Sequence, residues 1–149
     1  MNNSEVKLFT DGACKGNPGP GGWGVVMIQA GGSTSEMFGG EVFTTNNRME
    51  LLAVIKGLEA IKGMGNINIY TDSKYVKNGI TLWIKNWEKN GWKTASKKDV
   101  ANQDLWLLLT HLVKNKSIKW NWVKGHSGNQ GNERADHLAN RGAASCSQK

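Results

Sequence analysis

Four acidic residues stand where chemistry could use them. Asp11 closes the alternating run "VKLFTD" and Asp72 closes "NINIYTD", so two apolar strands each end on Thr-Asp. Glu50 falls just inside the amphipathic stretch "NNRMELLAVIKGLEAIK", and Asp136 falls early in the last helical stretch. If the two strands run parallel, their C-terminal ends share one rim of a sheet, where α/β proteins usually place their sites. A helix N-terminus favours an anionic side chain, which suits Glu50 and Asp136. Four carboxylates at one rim repel one another severely unless a cation joins them. Oxygen ligands without a cysteine or histidine cluster point to Mg²⁺ or Mn²⁺. Each acid also has an ordinary reading by itself: a turn residue after a strand, or a partner for a helix dipole.

These acids need a scaffold, and the rest of the chain supplies its outline. "VKLFTDG" reads as a strand, followed by the glycine-rich turn "GNPGPGG". "WGVVMIQA" and "TSEMFGGEVF" read as two further strands joined by "GGS", a meander. In the long helix Leu51, Val54, Leu58 and Ile61 share one face, with an N-cap within Thr44 to Asn47 and a stop at Gly63. "NINIYTD" is a fourth strand, and short helices follow around "SKYVKN" and "ITLWIKNW". Asn102 opens a helix over "NQDLWLLLTHLVK", and "SIKWNWVKG" is a fifth strand with Ile118, Trp120 and Trp122 on one side. The tail is helical from about Asn129 to Ala144, and residues 145–149 are expected to fray. A meander followed by helix-strand-helix-strand-helix implies a mixed α/β sheet, parallel where helices cross over.

Bulk properties narrow the class. The 149 residues fit one domain, with a core large enough to need no staples. No apolar run approaches the roughly 20 residues that span a bilayer, and the N-terminus lacks a basic-then-apolar leader. A cytoplasmic protein with no membrane association is expected. Cys14 and Cys146 form no metal-type or redox-type spacing. The net charge is +7, and residues 73–124 carry the excess, with eleven lysines against Glu88, Asp99 and Asp104. Such a zone suits a polyanionic partner, or simply a solvated lysine-rich face. "GPGGWG" fits the dinucleotide-binding pattern at Gly19, Gly21 and Gly24, but that motif must open a helix and here a strand follows. Those glycines are read instead as letting the backbone turn and approach a substrate.

"FTDGACKGNPGPGGWG", "TTNNRMEL", "YTDSKYV", "NWEKNGWKTASKKDVANQDLW" and "WVKGHSGNQGNERAD" resemble, in order and spacing, the signature blocks of the bacterial type 1 ribonuclease H family. The likeness covers about Val6 to Ala144. It implies an α/β ribonuclease H-like fold, a five-stranded mixed sheet with helices on both faces, in a single catalytic domain over residues 1–149. It implies an endonuclease hydrolysing the RNA strand of RNA/DNA hybrids. The implied catalytic set is Asp11, Glu50, Asp72 and Asp136, with His126 assisting as a proton shuttle or in product release. His111 and His137 are read as structural.

The expected chemistry is two-metal-ion hydrolysis, with Mg²⁺ pairs roughly 3.5–4 Å apart and Mn²⁺ as a substitute. One cation would activate water while the other relieves charge on the departing 3′-oxygen, leaving 5′-phosphate and 3′-hydroxyl ends. Asp11 is expected to bridge both, Glu50 and Asp72 to hold the leaving-group ion, and Asp136 the water-side ion.

For the substrate, the resemblance places Gly12, Cys14 and Asn17 on the ribose-bearing strand, with Asn46 and Lys74 nearby. It places Thr45, Arg48 and Asn102 on a DNA phosphate and Trp83 on a deoxyribose. Trp87 and Trp92 are read as a satellite apolar cluster. Two departures stand out. Glu88, Asn90 and Ala101 occupy positions where relatives often carry positive charge, which predicts weaker, more salt-sensitive hybrid binding. Lys74 replaces a common glutamine. Other readings are a DNA-acting fold relative, disfavoured by the complete blocks, and a noncatalytic hybrid-binding module, which would normally lack one carboxylate. With no separate hybrid-binding domain, a monomer is expected.

Overall fold

The computed structural model describes residues 5–29, 31–61, 66–94, 97–98, 100–114, 116–123 and 130–147. Strands β1 (Val6–Cys14), β2 (Gly19–Ile28) and β3 (Thr34–Thr44) form the expected meander. Helix α1 (Asn46–Ala60) then crosses to β4 (Asn66–Thr71). Next come α2 (Lys74–Asn78), a π-helical turn (Gly79–Trp83), α3 (Ile84–Lys89) and α4 (Gln103–Val113). Strand β5 (Ser117–Trp122) and helix α5 (Gln130–Ser147) complete the chain. The sheet order is β3-β2-β1-β4-β5, antiparallel through β3-β2-β1 and parallel through β1-β4-β5.

The alternation of β1 sends Leu8 into the main core, with Leu51, Val54, Ile55 and Leu58 of α1 and Trp106 and Leu109 of α4. Phe9 joins Val26, Ala135 and Leu138 in a second core under α5. Helices thus cover both faces. Burial of each such side chain stabilises the fold by about 1.5–3 kcal/mol. Thr45 caps α1 by accepting the Arg48 amide at 3.2 Å. The helix ends at Ala60, where Ile61 turns extended and its N–H returns to the Leu58 carbonyl. The expected stop at Gly63 lies outside the described residues.

Several boundaries differ from expectation, each for a local reason. β1 does not end at Asp11: its parallel pairing with β4 stops at Phe9–Tyr70, but its antiparallel pairing with β2 continues to Cys14–Gly21. β2 correspondingly starts at Gly19, so the turn shrinks to residues 15–18, closed by Lys15 N–H donating to the Pro20 carbonyl at 2.7 Å. α5 runs three residues past Ala144. Asn102 precedes α4 in a left-handed conformation (φ 59°) and makes no side-chain cap. The tryptophans are not a satellite cluster. Trp83, Trp87 and Trp92 meet in succession with tilted ring planes, and Trp87 and Trp92 pack against the main core, Trp87 at 5.5 Å from Trp106.

Candidate active site

Asp11 sits on β1 beyond the last residue that pairs with β4, opposite Gly24 of β2. β1 and β4 are therefore unpaired at this point, which leaves a gap between the two strands at the rim of the sheet, with Asp11 beside it. Asp72 follows β4 directly, at the far side of the same gap. It is pinned between Thr71, whose Oγ1 accepts the Ser73 amide at 3.1 Å, and Ser73, which caps α2.

Glu50 reaches the gap from α1. The helix approaches β1 so closely that a β-carbon at Gly12 would stand 2.4 Å from the Glu50 nitrogen. One carboxylate oxygen from each of Asp11, Glu50 and Asp72 lies within 4.8 Å of the other two. Asp136 comes from the opposite face, on α5. That helix sits directly on the backbone of β2, where β-carbons at Gly22 and Gly24 would meet the carbonyls of Ala139 and Ala135 at 2.2 and 2.3 Å. Gly24 therefore admits a helix, not a substrate. Asn132, fully buried, ties the start of α5 to β4 by donating to the Tyr70 carbonyl at 3.1 Å. Asp136 lies near enough to Asp11 for its side chain to act on that carboxyl.

The electrostatics follow from this crowding. Asp11 is 2% exposed and Glu50 8%. Burial, then the side chain of Asp136 and the charge of Asp72, push the Asp11 carboxyl up to about 8. Burial and the neighbouring charges of Asp11 and Asp72 raise Glu50 well above its ordinary value. Neither helix dipole explains these acids, since Glu50 and Asp136 both lie beyond the first turn of their helices.

Glu50 Oε1 is buried without a hydrogen-bond partner among the described residues. An acceptor left in that state costs about 1–3 kcal/mol. Clustered carboxylates with a buried acceptor fit a hard divalent cation, which takes oxygen ligands and removes the repulsion.

The other sequence-predicted residues form two groups beside this cluster. In the first, Asn17 Oδ1 accepts the Asn46 amide at 2.9 Å, joining the β1–β2 turn to the start of α1. The Cys14 thiol donates to the carbonyl of Thr44 at 3.4 Å. In the second, Arg48 donates to Asn102 Oδ1, and Asn102 Nδ2 donates to the Tyr75 hydroxyl at 3.0 Å. Trp83 lies edge-on to the Tyr75 ring. Thr45 is the α1 cap between the two groups. Lys74, exposed, lines a cleft of about 310 Å³ with Asp72, Lys77 and Trp122. His126 lies outside the described residues. His111 and His137 are exposed on α4 and α5.

The sequence reading missed three residues. Tyr75 joins Asn102 to the core through the Trp106 indole. Asp104 pairs with Arg48. Asn132 anchors α5. Only Asn132 left a signal, a polar residue on the apolar side of a helix.

The RNase H family model matches residues 3–144. The chain is 61% identical over 141 residues to a ribonuclease H of Cupriavidus metallidurans, covering 95% of this chain and 97% of that protein. It is equally similar, over 142 residues, to a ribonuclease HI of Neisseria meningitidis, with 95% and 97% covered. Among solved structures it superposes with TM-score 0.86 on LC9-RNase H1, described as a type 1 RNase H with the type 2 active-site motif. That match is 35% identical and covers 97% of this chain and 74% of that one.

Proposed function

The chain belongs to the RNase H family, and from that premise we propose that it is a metal-dependent endonuclease hydrolysing the RNA strand of RNA/DNA hybrids. The single observation that carries the reading is the meeting of Asp11, Glu50 and Asp72, from three separate elements, within 4.8 Å.

In this reading Asp11, Glu50, Asp72 and Asp136 would hold two Mg²⁺ ions, with Mn²⁺ as a substitute. Asp11 would be the ligand common to both, Glu50 and Asp72 would serve the leaving-group side, and Asp136 the water side. When bound, such a pair supplies an activated water and charge relief for the departing 3′-oxygen, leaving 5′-phosphate and 3′-hydroxyl ends. Glu50 is mostly buried, and its Oε1, without a partner among the described residues, is an acceptor that a cation would satisfy. Gly12, Cys14, Asn17, Asn46 and Lys74 position the RNA strand, whose 2′-hydroxyls, both donor and acceptor, distinguish it from DNA. Thr45, Arg48 and Asn102 hold a DNA phosphate, and Trp83 packs on a deoxyribose. The linkage of Asn17 to Asn46 supports the first set, and that of Arg48 to Asn102 the second. His126 assists proton transfer or product release.

Among the described residues no helix is long and apolar enough to cross a membrane. We read the protein as a cytoplasmic monomer acting without an obligate protein partner. Both cysteines are free thiols, which accords with a reducing compartment.

The test is a labelled RNA/DNA hybrid beside its all-DNA and all-RNA counterparts, each with Mg²⁺ and with chelator. Chelator-sensitive cutting of the RNA strand in the hybrid alone is expected. Cutting of the all-DNA duplex, or hybrid binding without cleavage, overturns the reading.

A further inference from the structure

Arg48 is held from three sides. Its Nη1 donates to Asp104 Oδ1 at 3.0 Å and its Nη2 to Asp104 Oδ2 at 2.8 Å. This two-pronged geometry is the one a guanidinium uses for carboxylates and phosphates alike. Nε lies 3.7 Å from a Glu41 oxygen. Two carboxylates against one guanidinium leave the corner with a net negative charge, the wrong sign for a phosphate.

We infer that Asp104 acts as an internal stand-in for phosphate, which the DNA strand must displace from Arg48 before that contact forms. The inference rests on the reading of Arg48 as a phosphate contact. Asp104 thereby limits hybrid affinity.

Exposure favours this exchange. The Asp104 side chain is 64% exposed and can swing into water, whereas that of Arg48 is 28% exposed and stays seated. Asn102 keeps the guanidinium aimed when Asp104 leaves. Its Oδ1 accepts from Nη1 at 3.3 Å, and its own amide donates to the Tyr75 hydroxyl. That hydroxyl also accepts the buried Trp106 indole N–H at 3.0 Å, so the post is anchored in the core. Arg48 is thus a fixed arm with a removable cover.

The experiment compares Asp104→Asn, Arg48→Ala and the double variant. It measures hybrid Kd by anisotropy in chelator, and KM and kcat in Mg²⁺. Asp104→Asn is expected to lower Kd and KM by about fivefold, the size set by an exposed ion pair, with kcat changing by less than about twofold. Arg48→Ala is expected to weaken binding, and the double variant to match it, because the cover matters only while the arm is present. If Asp104→Asn leaves Kd unchanged or raises it while Arg48→Ala weakens binding, Asp104 only positions Arg48 and the inference fails alone. A gain that persists in the Arg48→Ala background reveals a long-range charge effect and also overturns it. If Arg48→Ala binds normally, the phosphate-contact reading fails and takes the inference with it. Hybrid cleavage by the unmodified chain reports separately on the function itself.

Discussion

Gly12 and Glu50 touch through their backbones: a β-carbon on residue 12 would stand 2.4 Å from the Glu50 nitrogen and 2.6 Å from the Met49 carbonyl carbon. Both neighbours are main chain in a capped helix, so they cannot step aside as a side chain can. The absence of a side chain at residue 12 lets α1 bring Glu50 to Asp11.

Gly12→Ala is therefore expected to push α1 off β1 and widen the carboxylate cluster. Overpacking of this kind costs about 1–3 kcal/mol, so the variant should still fold in the cold with a lowered Tm. Calorimetric titration with Mn²⁺ should show weakened or absent binding, and hybrid cleavage should fall by about 10²-fold or more. Unchanged Mn²⁺ affinity would show that Glu50 is placed by something other than this contact.

Asp11→Asn keeps the volume and removes the charge. Turnover on a hybrid is expected to drop by about 10³-fold or more, because the proposed shared ligand is lost. Circular dichroism should be unchanged. Near-normal cleavage by this variant would remove Asp11 from the catalytic set.

The same carboxyl governs stability in chelator. Its folded-state value is about 8 against an ordinary 3.8. The folded chain therefore holds this proton more tightly than the unfolded chain does. The resulting stabilisation is complete below about pH 4 and is lost as pH rises through about 8. Glu50 is shifted in the same direction. Thermal melts in chelator should show Tm falling across that window, and Asp11→Asn should flatten the fall. Added Mg²⁺ should raise Tm most at the alkaline end, where the carboxylates are ionised. A melt profile that is level with pH in chelator would contradict the crowding described above.

Asn17→Ala removes the acceptor for the Asn46 amide, a bond 2.9 Å long between two loops proposed to touch the RNA strand. One such hydrogen bond is worth about 1 kcal/mol. KM for the hybrid should rise by about fivefold with kcat nearly constant, as measured by initial rates across substrate concentration. A fall in kcat at constant KM would assign Asn17 to the chemical step instead.

Much of this protein was legible before any coordinates. Alternation in "VKLFTD" and "NINIYTD" is a property of neighbouring residues, and so is a cap for α1 within Thr44 to Asn47, a run in which the fold selects Thr45. Boundaries were less secure where pairing partners decide them. β1 outruns Asp11 only because β2 continues alongside it after β4 has stopped, and nothing within the strand records that. The side-chain types that suit a hard cation were also visible in the chain.

Their closeness was not. Sequence periodicity states which face a residue takes, but not how near two elements come. That distance is set by the volume of residues facing each other across the fold. Here it is set by the missing side chains of Gly12, under α1, and of Gly22 and Gly24, under α5. The pairing of Arg48 with Asp104, 56 residues away, is of the same kind. The chain by itself determined the elements and the chemistry its side chains could perform. Only packing decided which of those side chains meet, because contact depends on shapes that lie far apart along the backbone.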